Sequence, residues 1–330
     1  MKTVKIERKI IGNRQPFFIA EAGLNHNGKL KIAKEMVRKA SEAGADAIKF
    51  QTFKTENLYP KNNKAYKIFK KFELTKEQFG ELKDISKSNK IIFCSTPFDF
   101  DSVDLLENLK VPVYKIASSD LNFLPLIQYV SMKRKPIIIS SGMGTEKEIQ
   151  IAIDTAKKNG AKGIVVLHCV SGYPTPLTET NLNCIPILKK KFNIPIGYSD
   201  NGKDTIVNMI AATLGADVIE KHFTLNSKQK GADHNMSIEP KEMKELINNL
   251  KNIRIILGNG KKHVQPSEVE IKKIARRGIY ARKKLIKGET ITKEKIKFLR
   301  PPNGIKPTYH SILSKKARKN FVEDDSISFQ

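Results

Sequence analysis

The chain has 330 residues, 39% hydrophobic and 28% charged, enough to bury a full core and typical of an ordinary globular protein. No apolar run approaches a membrane span, and the N-terminus MKTVKIERKIIGNRQPFF has no apolar signal core, so a cytoplasmic protein is expected. The formal charge of +26 favours an anionic partner, but the excess is Lys spread along the chain without aromatic interleaving, which argues against a nucleic-acid surface.

Short β-branched runs alternate with amphipathic stretches along most of the chain. The first residues, with a turn signal at Gly12-Asn13, suggest a hairpin over 1–16. Strands are predicted at 17–22, 47–51, 91–95, 113–117, 136–140, 163–168, 194–199 and 217–222. Helices are predicted around 31–43, 76–88, 101–108, 123–132, 146–158, 181–190, 204–214 and 240–256. Thr75 with Gln78, and Thr145 with Glu148, read as capping boxes, and Gly44, Gly160 and Gly215 stand where helices should stop. Eight strand–helix units over about 240 residues match the count and size of a (β/α)8 barrel, the TIM barrel. A doubly wound open sheet is the runner-up, but its Gly-rich first turn is replaced here by Ala22-Gly23-Leu24-Asn25-His26-Asn27-Gly28. Beyond residue 257 the texture changes. Gly258-Asn259-Gly260 and Pro266 mark a linker over 258–275. Short β-like runs at 278–281, 289–291, 296–299 and 326–329 then predict a small β-rich domain over 276–330. The cysteines Cys94, Cys169 and Cys184 have no metal or redox spacing and read as buried thiols.

In a barrel, chemistry sits at the carboxyl ends of the strands. In chain order those ends offer Glu21 with Asn25 and His26, then Lys49 with Gln51, Ser95 with Thr96, and Lys115 with Ser118 and Ser119. They continue with Ser140 and Ser141, His168 followed by Ser171 and Tyr173, Ser199-Asp200-Asn201, and Glu220 with His222. The loop after the last strand adds the acid–imidazole pair Asp233-His234. Any one of these ends could be a solvated terminus. Two lysines, two histidines and two glutamates converging are hard to read as solvation. Lys49 and Lys115 with a ring of hydroxyls predict a small substrate carrying phosphate and carboxylate, because a buried Lys needs an anion to stay charged. His222 among carboxylates and amides could hold a divalent metal.

The segments Ile19-Ala20-Glu21-Ala22-Gly23-Leu24-Asn25-His26-Asn27-Gly28, Lys49-Phe50-Gln51-Thr52, Ser95-Thr96-Pro97-Phe98, Tyr114-Lys115-Ile116-Ala117-Ser118, Gly197-Tyr198-Ser199-Asp200 and Glu220-Lys221-His222-Phe223-Thr224 together resemble the sialic acid synthases. The tail, with Arg300-Pro301-Pro302-Asn303-Gly304, resembles their antifreeze-protein-like (SAF) domain. The resemblance implies condensation of phosphoenolpyruvate with an N-acetylated amino sugar aldehyde to a nine-carbon 3-deoxy-ulosonic acid. It also implies a divalent metal, Mn2+ or Mg2+, which the departure at Asn201 would leave weakly held, and a domain-swapped homodimer. Carried over by motif, Lys49, Thr96, Lys115, Ser118, Ser140, Ser171 and Ser199 would bind phosphoenolpyruvate. Glu21, Tyr173, Asp233 and Arg300 would contact the sugar. Glu21 and Glu220 are the candidate proton carriers, with Lys49 and Lys115 neutralising charge.

Two positions depart from the family pattern. Ser171 stands where the family usually has Asn. Asn201 stands where it usually has the histidine that partners His222 on the metal; a neutral amide oxygen is a weaker, harder ligand and shifts preference towards ions such as Mg2+. Rival readings are legionaminic or pseudaminic acid synthesis by the same chemistry, a Schiff-base aldolase using a strand-end Lys, and a carbohydrate- or nucleic-acid-binding module using the basic tail.

Overall fold

In the computed structural model, residues 3–13, 15–231, 233–305, 307 and 312–328 are described. The chain divides into two units, Met1–Gly258 and Asn259–Gln330. Among the described residues, no helix is long and apolar enough to cross a membrane.

The first unit opens with an antiparallel hairpin, β1 (Val4–Ile6) and β2 (Lys9–Ile11). Its turn is Glu7-Arg8, with Glu7 at φ 49°, and not Gly12-Asn13 as expected. The apolar residues Val4, Ile6 and Ile11 decide this, because that register buries all three.

Eight parallel strands follow: β3 (Phe17–Glu21), β4 (Ala47–Thr52), β5 (Ile92–Pro97), β6 (Tyr114–Ile116), β7 (Pro136–Ser140), β8 (Gly163–Cys169), β9 (Ile196–Asp200) and β10 (Val218–His222). They close in sequence order, β10 pairing back onto β3, and so form a (β/α)8 barrel. The strands are almost continuously buried because one face meets the barrel interior and the other the helices. Helix starts follow local chemistry. Thr75 and Thr145 each form a capping box, and Gly44 takes the left-handed conformation, φ 91°, that ends the first helix, Leu30–Ala43. The hairpin residues Val4, Ile6 and Ile11 pack with Phe17, Ala47, Ile92, Val165 and Val218, and so plug the amino-terminal end of the barrel.

Two short helices between β4 and β5, Thr55–Leu58 and Lys64–Phe69, were not expected from the sequence; each is under two turns, too short to show a 3.6-residue period. Cys94 and Cys169 are buried free thiols and Cys184 is half-buried.

In the second unit, β11 (Gly278–Ala281) pairs antiparallel with β12 (Ile296–Leu299). The runs expected at 289–291 and 326–329 reduce to single bridges, Thr290 with Lys316 and Tyr280 with Ser326, and Phe329 lies outside the described residues. Ile279, Leu285, Ile291, Ile312, Phe321 and Ile327 form its core. The segment expected to be a linker contains the helix Val269–Ala275.

Candidate active site

A cavity of about 500 Å³ opens at the carboxyl ends of the barrel strands. Strand alternation decides what reaches it. Glu21, Lys49, Gln51, Thr96, Lys115, Ser140, Ser199, Glu220 and His222 point inward, and the loops add Ser118, Ser119, Ser171, Tyr173, Asn201 and Asp233.

The floor is a buried charge network. Lys49 Nζ lies 3.3 Å from Glu21 Oε2 and 3.1 Å from Glu220 Oε1. Lys115 Nζ lies 3.7 Å from the same Glu220 oxygen and donates to Ser140 Oγ at 2.5 Å. Ser199 Oγ donates to Glu220 Oε1 at 2.9 Å, and Gln51 Nε2 donates to Glu21 Oε1 at 3.4 Å. Burial raises Glu21 to about 7, and Lys49 only partly opposes it. Burial also works against ionised Glu220, but Lys115 and Lys49 outweigh it and hold that carboxyl at about 2. Lys49 is pushed up, its two carboxylate neighbours overcoming burial, whereas burial pulls Lys115 down. Below about pH 7, where Glu21 keeps its proton, two lysines face the one carboxylate of Glu220, so the floor accepts an anion.

Around Lys115 the hydroxyls crowd together. Gly142 N donates to Ser118 Oγ at 3.1 Å, and Ser171 Oγ is buried without a hydrogen-bond partner among the described residues. A Cβ at Gly142 would come 2.3 Å from Ser171 Oγ and 2.8 Å from Ser118 Oγ, so only glycine lets both hydroxyls approach.

The opposite side gathers different chemistry. His222 Nδ1 is buried, makes no hydrogen bond among the described residues, and lies 3.8 Å from Asp233 Oδ2. Burial keeps this imidazole below its usual range. The Tyr173 ring stands edge-on to it, centroids 6.2 Å apart. Asp233 Oδ2 accepts from Leu24 N at 3.3 Å, and Gly23, at φ +49°, leaves the space between Glu21, His222 and Asp233 clear. The Asn201 amide nitrogen donates to Val170 O at 2.8 Å. Among the described residues no three His, Cys, Asp or Glu groups converge as a ready metal site. The orphaned His222 nitrogen facing a carboxylate nevertheless suits a divalent ion held by few protein groups.

Several polar strand ends do not reach the cavity. His26 Nδ1 accepts from Gly28 N, and Asn25 donates to Phe223 O and Ser237 Oγ. Ser95 donates to Phe50 O, Ser141 to Leu167 O, and His168 Nε2 meets Thr180 O. His234 Nδ1 pairs with Thr224 Oγ1. These side chains bind backbone or neighbouring side chains, the ordinary fate of a buried polar group. Arg300 lies exposed in the second unit. Sequence reasoning missed Asp120, which lines the cavity with a buried Oδ2 that has no hydrogen-bond partner among the described residues, and which burial raises to about 6. It also missed the apolar mouth of Leu58, Tyr59, Phe69, Phe98 and Met143.

The chain is a parallel barrel with an anion floor and an acid–imidazole rim, and comparison places it among condensing enzymes. The NeuB family pattern matches residues 36–262 and the SAF domain pattern residues 276–330. An uncharacterized protein of Methanocaldococcus jannaschii is 44% identical over 330 residues, covering 100% of this chain and 98% of the relative. The N,N'-diacetyllegionaminic acid synthase of Legionella pneumophila is 41% identical over 310 residues, covering 88% of this chain and 87% of the relative. The crystal structure of N-acetylneuraminic acid synthetase from Leptospira borgpetersenii, in complex with citrate, superposes with a TM-score of 0.77 at 38% identity, covering 82% of this chain and 95% of that one. The chain belongs to the NeuB family and is a carbon–carbon bond-forming transferase of the sialic acid synthase type.

Proposed function

We propose that the chain condenses phosphoenolpyruvate with an N-acetylated amino sugar aldehyde, N-acetylmannosamine or a close relative, plus water, giving a nine-carbon 3-deoxy-ulosonic acid and phosphate. The observation that carries this is the buried floor, where Lys49 and Lys115 share a single ionised carboxylate, Glu220, beneath a ring of hydroxyls. Such surplus charge suits a trianion, with Thr96, Ser118, Ser140, Ser171 and Ser199 as its hydrogen-bond donors.

The acceptor would lie above, against Glu21, Tyr173 and Asp233. As enol C3 bonds to the aldehyde carbon, the aldehyde oxygen gains charge and takes the proton of neutral Glu21. C2 is left electron-poor, and Glu220, held ionised by two lysines, steadies it. Water then adds at C2 and returns a proton to Glu21, so that group ends as it began. Collapse of the hemiketal phosphate to the ketone releases phosphate. A divalent ion, Mn2+ or Mg2+, weakly held at His222, would supply Lewis-acid polarisation of the aldehyde oxygen. The proposed assembly is a domain-swapped homodimer in a cytoplasmic setting, with Arg300 of the partner subunit meeting the N-acetyl group.

A second reading is a legionaminic-type acceptor, di-N-acylated and deoxygenated at its far end. The apolar mouth of Leu58, Phe69, Phe98 and Met143 favours it, as does the Legionella relative. The test is phosphate release from phosphoenolpyruvate with N-acetylmannosamine and with 2,4-diacetamido-2,4,6-trideoxy aldoses, followed by product mass. One equivalent of phosphate per nine-carbon product supports the proposal. Borohydride trapping of a carbonyl substrate on a lysine, without phosphate release, would replace it with a Schiff-base aldolase.

A further inference from the structure

We infer that Asp233, and not Asn201, is the second protein group that holds a divalent cation beside His222. The inference deepens the condensation reading by specifying the metal's ligands. It begins with an imidazole nitrogen and a carboxylate oxygen facing one another. Among the described residues His222 Nδ1 is buried with no hydrogen-bond partner, and the carboxylate oxygen Asp233 Oδ2 is 3.8 Å away. That separation is too long for a hydrogen bond and shorter than two metal–ligand bonds of about 2.1 Å laid end to end. A cation fits between such a pair where a proton does not.

The surroundings keep the gap open. Gly23 has no side chain, and a Cβ there would meet Asp233 Oδ2 at 2.7 Å and His222 Cε1 at 3.5 Å. The backbone of the same turn holds the carboxylate, through Leu24 N at 3.3 Å. Asn201, by contrast, uses its amide nitrogen on Val170 O at 2.8 Å and brings no charge. A carboxylate offers a hard, anionic oxygen that Mg2+ and Mn2+ prefer to a neutral amide. Two protein donors leave most of the coordination sphere to water and substrate, which makes the binding weak.

The test is titration of the full chain with Mn2+, no substrate present, with the free ion followed by electron paramagnetic resonance. Asp233→Asn should weaken binding at least tenfold, whereas Asn201→Ala should change it less than threefold. Asn201→His should strengthen it by adding an imidazole donor. Wild-type affinity in Asp233→Asn, or no Mn2+ binding by the unaltered chain at millimolar ion, would overturn the inference. Circular dichroism checks the fold of each variant, and Asp233→Ser replaces Asp233→Asn if that variant fails to fold. Because substrate is absent, the outcome is separable from the condensation reading. A chain that binds Mn2+ through Asp233 but releases no phosphate would sink that reading and leave this inference standing.

Discussion

Lys221 Nζ lies 2.6 Å from Asp200 Oδ2, with both side chains shut away from water on the outward face of β10 and β9. The two residues are register partners, and the neighbouring pair, Glu220 with Ser199, faces the cavity. Asp200 also accepts from Gly202 N at 2.8 Å, which fixes the turn carrying Asn201. The ion pair outside the barrel thus shares its register with the pair inside, and a one-residue slip would turn every inward side chain outward.

Breaking that pair should be severe. Lys221→Met leaves the Asp200 charge buried alone and should destabilise by about 3–5 kcal/mol in urea unfolding. Asp200→Asn with Lys221→Met removes both charges, keeps an acceptor for Gly202 N, and should recover most of the stability. Equal instability of the single and double variants would show that the charges do not act as a pair.

Gly142→Ala places a methyl where Ser118 and Ser171 meet. The expected result is at least a tenfold rise in KM for phosphoenolpyruvate with a melting temperature near that of the parent. An unchanged KM would move the phosphate site elsewhere in the cavity.

Lys115→Met should act on the same substrate by charge. Lys49 still partners Glu220, so the fold should hold, while the floor loses its surplus cation. KM for phosphoenolpyruvate should rise about 100-fold, roughly what deleting the cation of a buried charge-assisted hydrogen bond costs. Phosphate-release kinetics reads it directly.

Glu21 gives two linked pH effects. Raised to about 7 and acting as an acid, it should make kcat/KM fall as pH rises through 7, and Glu21→Gln should remove that limb along with most of the rate. Stability follows the same sign. The folded pKa lies above the unfolded value of 4.5, so the folded state binds the extra proton between 4.5 and 7 and loses relative stability as pH climbs through that window. Glu21→Gln, which resembles the neutral acid, should therefore melt higher than the parent at pH 8, by on the order of 3 kcal/mol, and match it near pH 4.5. A parent curve that rises from pH 5 to 8 would contradict the assignment.

The barrel was legible because each strand reads as an apolar β-branched run and the longer helices carry caps at Thr75 and Thr145. The tail was only half legible, since Thr290 and Ser326 contribute single bridges too short for an alternating pattern. At the site, Lys49 and Gln51 announced a common face two residues apart. Asn25, His26, Ser95, Ser141 and His168 did not reveal that they point away, because the last inward residue of a strand depends on barrel closure, which is a tertiary fact. Asp120 escaped notice as one more acid in a turn; only its burial beside Lys115 distinguishes it.

The hairpin plug has a consequence for traffic. With Val4, Ile6 and Ile11 sealing one end, the cavity is a blind shaft entered from the rim. Lys115 sits 1% exposed at its depth, while Tyr173 stands 58% exposed near the opening. A molecule resting on the lysines is covered by whatever settles against the tyrosine. Under the proposed condensation such a shaft should work last in, first out: the anion should load before the acceptor, and phosphate should leave only after the sugar acid above it.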